Sequence, residues 1–471
     1  MKPVTEKKRA SGGACSIKKP FAISLLLLTV FSTTLLPSRP EAGHGVFNPE
    51  SFTLDNGMQV VVVPIHRMPV VTHMVWYKAG SADEPPGKTG VAHLLEHLMF
   101  KATRNMPSGE FSRVVSRVGG SENAFTSLDY TGYFQTVAVE HLEKMMDMEA
   151  DRMKNLVLDA KEVETERLVV LEERSQRTDN NPGSILREHT NAALFMNYPY
   201  RRPIIGWEHE IRSLDVDDLR RFYRRWYTPA NAILVVAGYI TVAKLKPLAQ
   251  KTYGKIPSSP AIERSRPSEP RHKASRRVVL KDPRVRQPSL SRTYLAPSSM
   301  TSIDGGAGSE HSYALEVLAS VIGDGATSQI YRSLVVEQKL AVSAGARYGS
   351  DSLGPARFSF YTSPTPEVSM EAIETALIAE ISKLLKEGVT KKEVERVKKS
   401  MMAEAIYARD SLSAGARVLG AALASGKTIE DVESWPHRIA AVTVDQVNAA
   451  AHTVLENQPT VTSLLEGEKR S

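Results

Sequence analysis

The chain has 471 residues, about three times a usual single domain, so two or more globular units are expected. Hydrophobic residues at 42% and charged residues at 24% exclude a disordered or fibrous chain, and a lone cysteine, Cys15, excludes a disulfide framework or a multi-cysteine metal site. The net charge of +7 is concentrated in residues 1–42, where seven basic side chains face two acidic ones, so no general case for a nucleic-acid partner survives.

Residues 1–42 open with a basic stretch to Lys19, followed by the apolar run Phe21–Leu36 and the helix breaker Pro37. Basic flank, short apolar segment and small residues at Ala42 and Gly43 form the pattern of a secretory signal peptide. Pro40 makes the cleavage site imperfect, so an uncleaved anchor through residues 21–36 is the second reading. The expected location is periplasmic or otherwise exported, with membrane contact only if the leader stays attached.

Two segments of similar size follow, 47–254 and 276–467. Between them, residues 255–275 alternate Pro257, Pro260, Pro267 and Pro270 with Ser, Arg and Glu and read as an exposed linker. Each segment opens with β-branched runs, Gln59–Val63 and Val70–Tyr77 in the first, Arg277–Leu280 and Ser291–Leu295 in the second. A helical pattern comes next in each, at Gly90–Phe100 and at Tyr313–Ile322, and the second adds a helix pair over Val368–Leu385 and Lys391–Ala408. The expected fold class is α+β: two similar domains, each a mostly antiparallel sheet with helices packed on one face.

The chemistry sits in Thr89–Phe100. His93 and His97 are four residues apart, so on a helix both imidazoles share a face and can hold one metal ion. Glu96 lies near that face, where a carboxylate can act on a water without being a ligand. This is the His-x-x-Glu-His arrangement of inverted zincins. Val91, Leu94, Leu95 and Leu98 supply the buried side, and placing two imidazoles and a carboxylate on such a helix is costly unless something pairs with them. A catalytic zinc, one ion per chain, needs a third protein ligand. Asp159 and Glu162 start a helix over about 160–177, on which Glu166 and Glu173 are two turns apart and face the same way. Glu173 is the candidate third ligand, Glu166 the carboxylate that orients a ligand histidine, and Glu172 points to solvent. A solvated acidic helix face is the bland reading of the same residues.

At these residues the sequence resembles the pitrilysin/insulinase family of zinc peptidases, in the branch similar to mitochondrial processing peptidase and its bacterial relatives. The resemblance includes Phe52–Gly57, Tyr77–Glu84, the metal helix, Glu166–Glu173 at a gap of 76 residues from His97 to Glu173, Tyr198–Gly206 and Tyr227–Ala232. It implies an exported zinc metalloendopeptidase acting on peptides or unfolded segments, with Glu96 as general base. It also implies that Gly119–Thr126 forms an edge strand on which an extended peptide pairs, with Asn123, Ala124 and Phe125 as substrate-binding residues.

One departure stands out. Active members of the family carry an Arg and a Tyr seven residues apart, and the matching positions here are Val335 and Val342. The resemblance therefore implies a heterodimer, in which a homologous subunit lacking the metal motif supplies the missing pair. The alternative is a non-catalytic subunit that binds a peptide or partner and keeps a relic metal site. Processing of imported precursors fits the family but not this leader.

Overall fold

The computed structural model describes residues 45–302 and 309–468, so the leader reading of residues 1–42 lies outside the described residues. The first half builds a six-stranded sheet from β1 (Glu50–Thr53), β2 (Gln59–Pro64), β3 (Val70–Tyr77), β4 (Ser121–Thr126), β5 (Thr131–Ala138) and β6 (Ala232–Gly238), in the order β1-β2-β6-β3-β5-β4. The second half builds a five-stranded sheet from β7 (Arg276–Lys281), β8 (Ser289–Ala296), β9 (Ala341–Tyr348), β10 (Ala356–Pro364) and β11 (Thr460–Glu466), in the order β7-β11-β8-β10-β9. With β1 set aside, the two orders are the same. Each sheet is antiparallel apart from one parallel pair in the same place, β2 with β6 and β7 with β11. This shared topology is the physical content of the expected similarity between the halves.

Five helices of the first half matter for the site: α1 (Val91–Leu98), α2 (Glu110–Arg117), α3 (Leu142–Asn155), α4 (Ala160–Arg174) and α5 (Pro182–Leu194). Side chains alternate across each strand, so Val60, Val62, Val71 and Val75 join the main core with α1 and the methionines of α3, whereas Val61, Val63, Met74 and Trp76 point the other way. That second face is not open to water. The helix Ala414–Ala424 of the second half covers it with Ala416, Leu419, Ala422 and Leu423. A Cβ on Gly420 would fall 2.1 Å from the Trp76 indole, so glycine sets this close approach. Burial on both faces explains the continuous apolar runs of β2 and β6.

The second sheet is treated reciprocally. Leu290, Tyr294, Phe358 and Phe360 point into their own helical core, while the opposite face meets α5, where the Thr190 hydroxyl lies 2.6 Å from that of Ser463. Each sheet thus keeps its own helices on one face and takes a helix of the other half on the second.

Element boundaries follow local chemistry. The helix expected over Val368–Leu385 runs Met370–Glu387, because Ser369 caps the Ala372 N–H and Gly388, at φ +71°, ends it. The helix Lys391–Ala408 has the expected bounds and starts with a Thr390–Glu393 capping box.

After the 3-10 turn that ends at Lys255, the stretch to residue 275 has no helix and no strand, but the Arg266 side chain is buried. Arg266 bonds both oxygens of Asp83 at 2.9 Å and Asp129 at 2.5 Å, with side-chain exposures of 6%, 2% and 5%. Arg264 donates to the carbonyls of Asp129 and Ala424. Asp129 also accepts from the Tyr200 hydroxyl and the Leu353 N–H, so this one carboxylate joins the strap to both halves. The exposed-linker expectation missed this because the partners lie far away in sequence.

Removing one member of a buried ion network leaves uncompensated charge. Arg266→Met is expected to destabilise the protein by about 3–5 kcal/mol, read as a lower midpoint in urea unfolding.

Candidate metal centre

The helix α1 starts at Gly90, whose φ of +89° and packing against the Ile205 carbonyl, 2.7 Å from a Cβ built there, admit no side chain. The buried carboxylate of Glu84 accepts the Gly90 and Ala92 N–H groups at 3.0 and 2.9 Å and so closes the helix start. Val91, Leu94, Leu95 and Leu98 sink into the core as the pattern required, which leaves His93, Glu96 and His97 facing α4 and β4. The helix α4 is capped by Asp159, which accepts from the Lys161 and Glu162 N–H groups, and passes at Ser175 into a π-helical turn that ends at Asp179. Such turns often mark functional sites.

These elements bring His93, His97 and Glu173 together, with one donor atom from each within 4.8 Å of the others. Nε2 of His97 is 3.2 Å and Nε2 of His93 is 3.7 Å from Oε2 of Glu173. Tetrahedral zinc with bonds of about 2.0–2.2 Å separates its donors by roughly 3.3–3.6 Å, close to the two imidazole–carboxylate distances here, so the residues present fit such an ion in chemistry and approximate spacing. Among the described residues no other cluster of this kind occurs.

Glu166 accepts from Nδ1 of His97 at 2.9 Å, which directs Nε2 towards Glu173. Lys101 lies 2.5 Å from the other oxygen of Glu166, and Arg177 lies 2.6 Å from Oε1 of Glu173. Nδ1 of His93 is buried without a hydrogen-bond partner, so no carboxylate orients that ring as Glu166 orients His97. Glu172 is exposed and bonds only Gln176, as the helix rotation required.

The electrostatics describe a place prepared for a cation. Burial, and then the neighbouring His97, push His93 down to about 4. Burial would lower His97 too, but the carboxylates of Glu166 and Glu173 at its two nitrogens prevail and raise it to about 9. The His97 bond, with help from Lys101, holds Glu166 down at about 2. The same ring lowers Glu173. Glu96 behaves differently: burial raises it, against the hydrogen bond from Thr126.

A cleft of about 630 Å³ opens over these residues and is also lined by Asn123, Ala124 and Phe125. They belong to β4, the outermost strand of its sheet, so one edge of that backbone pairs with no strand among the described residues. The Phe125 ring packs edge-on against Trp76 at 5.1 Å. The Thr126 hydroxyl, at the end of β4, donates to Oε2 of Glu96 at 2.6 Å, a contact between strand and metal helix that sequence reasoning did not anticipate. Val335 and Val342 do not line the cleft; Val335 rests against the second core, and Val342 is 49% exposed on the edge strand β9.

Comparisons with known proteins agree with this geometry. Residues 59–208 match the insulinase domain (peptidase family M16), and residues 213–401 match the peptidase M16 inactive domain. The zinc protease PqqE of Helicobacter pylori is 31% identical over 401 residues, 84% of this chain and 87% of that protein. An uncharacterized zinc protease of Mycobacterium tuberculosis is 31% identical over 416 residues, 87% of this chain and 91% of that protein. Among solved structures, a protease from Helicobacter pylori superimposes with a TM-score of 0.82 at 29% identity, covering 90% of this chain and 100% of that one. The periplasmic protease PqqL of Escherichia coli shares the fold at a TM-score of 0.75 and 21% identity, over 88% of this chain and 47% of that one. The chain belongs to the insulinase (M16) family of peptidases.

Orienting carboxylates typically contribute 10–100-fold to metal affinity. Glu166→Gln is expected to weaken zinc binding by about that factor in a chelator-competition titration, Glu173→Gln to weaken it further, and Glu172→Gln to leave it unchanged.

Proposed function

We propose that this M16 member is an exported zinc metalloendopeptidase that hydrolyses peptides or unfolded segments. The observation that carries the reading is the convergence of His93, His97 and Glu173 beside a buried carboxylate, Glu96, that is not part of the donor set. In this reading the three converging residues hold one zinc ion and Glu166 fixes the ring of His97. A zinc ion held there serves as a Lewis acid for the scissile carbonyl and lowers the pKa of water.

The chain's own residues do the rest. An extended substrate pairs with the free edge of β4 along Asn123, Ala124 and Phe125, gaining main-chain hydrogen bonds with modest side-chain selectivity. Glu96 accepts a proton from the attacking water and delivers it to the departing amine; its raised pKa brings it closer to the range where both transfers are effective. Thr126 holds one oxygen of Glu96, so the strand that seats the substrate also aims the base.

The 47–254 segment is assigned as the metal-bearing half and 276–467 as its homologous, metal-free half. In the second half the helix Ser309–Gly323 stands where α1 stands in the first, between the strands equivalent to β3 and β4, and presents Leu315 and Leu318 to its core. Valines at positions 335 and 342 donate no hydrogen bond to a developing oxyanion, a contact worth ~3 kcal/mol of barrier. A homologous subunit without the metal motif is therefore proposed as partner, supplying an arginine and a tyrosine. Export is supported by the leader pattern and by the fold shared with a periplasmic protease.

Glu96→Gln is expected to retain one zinc per chain by metal analysis while peptide cleavage falls at least about 10²-fold. Unchanged cleavage would overturn the role of Glu96. Full turnover by the isolated wild-type chain would overturn the division of labour between subunits.

A further inference from the structure

The cleft over the metal donors adjoins a second cavity of about 710 Å³, with Leu128, Arg187 and Arg357 lining both. The second cavity is floored by the sheet face that α5 leaves partly uncovered. Register places Leu295, Thr293 and Ser291 of β8 opposite Arg357, Ser359 and Tyr361 of β10, so this face carries hydroxyls where the other carries aromatic rings. Hydroxyls can donate to an anion but bring no charge; the charge comes from arginine.

The carboxylates of the metal cleft are already engaged. Glu173 meets His97 and Arg177, Glu96 accepts from Thr126, and Glu188 is held by both terminal nitrogens of Arg174. Arg187 and Arg357 are the opposite case: neither pairs with a carboxylate among the described residues. Arg187 donates to the hydroxyl of Ser184 on its own helix, and half-buried Arg357 donates to Oδ1 of Asn191 at 2.5 Å. Arg187 and Asn191 are one turn apart on α5, so Asn191 holds the second guanidinium beside the first. Burial, together with the like charge of Arg187, disfavours the cation on Arg357. Two guanidiniums on a shared cavity wall, neither paired with a carboxylate among the described residues, are stabilised by an anion that binds there.

We propose that Arg187 and Arg357 form a carboxylate-binding subsite of the metal cleft, which selects peptides carrying an acidic side chain or a free C-terminal carboxylate. The proposal rests on the peptide-cleaving reading for its substrate class but not for its test. Arg–carboxylate recognition is directional and can be bidentate, so the subsite adds a selectivity that strand pairing on β4 does not supply.

The test uses the full-length, zinc-loaded Glu96→Gln chain as a binding form, with four peptides of one length carrying a neutral fluorophore. They contain Glu or Gln at one position and end in a free or an amidated carboxyl group. Fluorescence anisotropy is expected to show about tenfold tighter binding for the recognised carboxylate over its neutral match, falling as salt is added. The two pairs of peptides tell a side-chain carboxylate from a terminal one. In Arg187→Gln and, separately, Arg357→Gln backgrounds, the ratio of acidic to neutral affinity is expected to fall towards one. Arg187 lies on an exposed helix surface, so that variant keeps the test valid if Arg357→Gln fails to fold. Equal affinities for all four peptides, a preference that survives in the Arg187 variant, or no measurable binding of any peptide would overturn the subsite. A bound acidic peptide that wild-type chain leaves uncut, with or without its partner subunit, would count against the peptidase reading and leave the subsite standing.

Discussion

The bond between Glu166 and Nδ1 of His97 is the contact from which the site takes its order. A histidine ring has two chemically distinct nitrogens, and a carboxylate on one decides what the other presents. With Nδ1 committed to Glu166, Nε2 is turned to Glu173, and His93, one helical turn away, completes the cluster. Lys101 balances Glu166 from the far side, so the second carboxylate adds no unopposed charge to the helix pair. The left-handed Gly90 and the carboxylate of Glu84 fix the start of α1, and the Asp159 cap fixes the start of α4.

The repeated topology shows how such a site arises without being copied. Both halves place a helix between the third and fifth strands of the shared order, followed by an edge strand. In the first half that helix turns His93, Glu96 and His97 out of the core; in the second it turns Ala314, Leu315, Val317, Leu318, Val321 and Ile322 inward. One scaffold carries the His93, His97 and Glu173 cluster, and its twin carries a hydroxyl-lined wall. The contact between Thr126 and Glu96 exists because helix and edge strand are adjacent in this arrangement.

Much of this was legible in the sequence because the signals were periodic and local. The four-residue spacing of His93 and His97 and the seven-residue spacing of Glu166 and Glu173 are statements about helix faces, and the structure places each on the expected face. The β-branched runs of β2 and β3 set those strands within a residue, and the Asp159–Glu162 start places the beginning of α4. What could not be read is non-local. The burial of Arg266 depends on Asp83 and Asp129, 183 and 137 residues away. Thr126 lies 30 residues from Glu96 and in a different element type. Arg187 and Arg357 are ordinary surface residues by composition and become a pair only when α5 crosses the second sheet. Nor was the cover on the second face of each sheet legible, since the helix that provides it comes from the other half.

The exchange of covering helices has a consequence for how anything enters the cleft. Because each half closes the other's sheet, prying them apart would strip Trp76 and its neighbours of their roof and break the seam at Asp129. The packing that stabilises the two sheets therefore opposes a clam-like opening within one chain. In the proposed reading, an extended polypeptide reaches the cleft from its outer margin, along the unpaired side of β4.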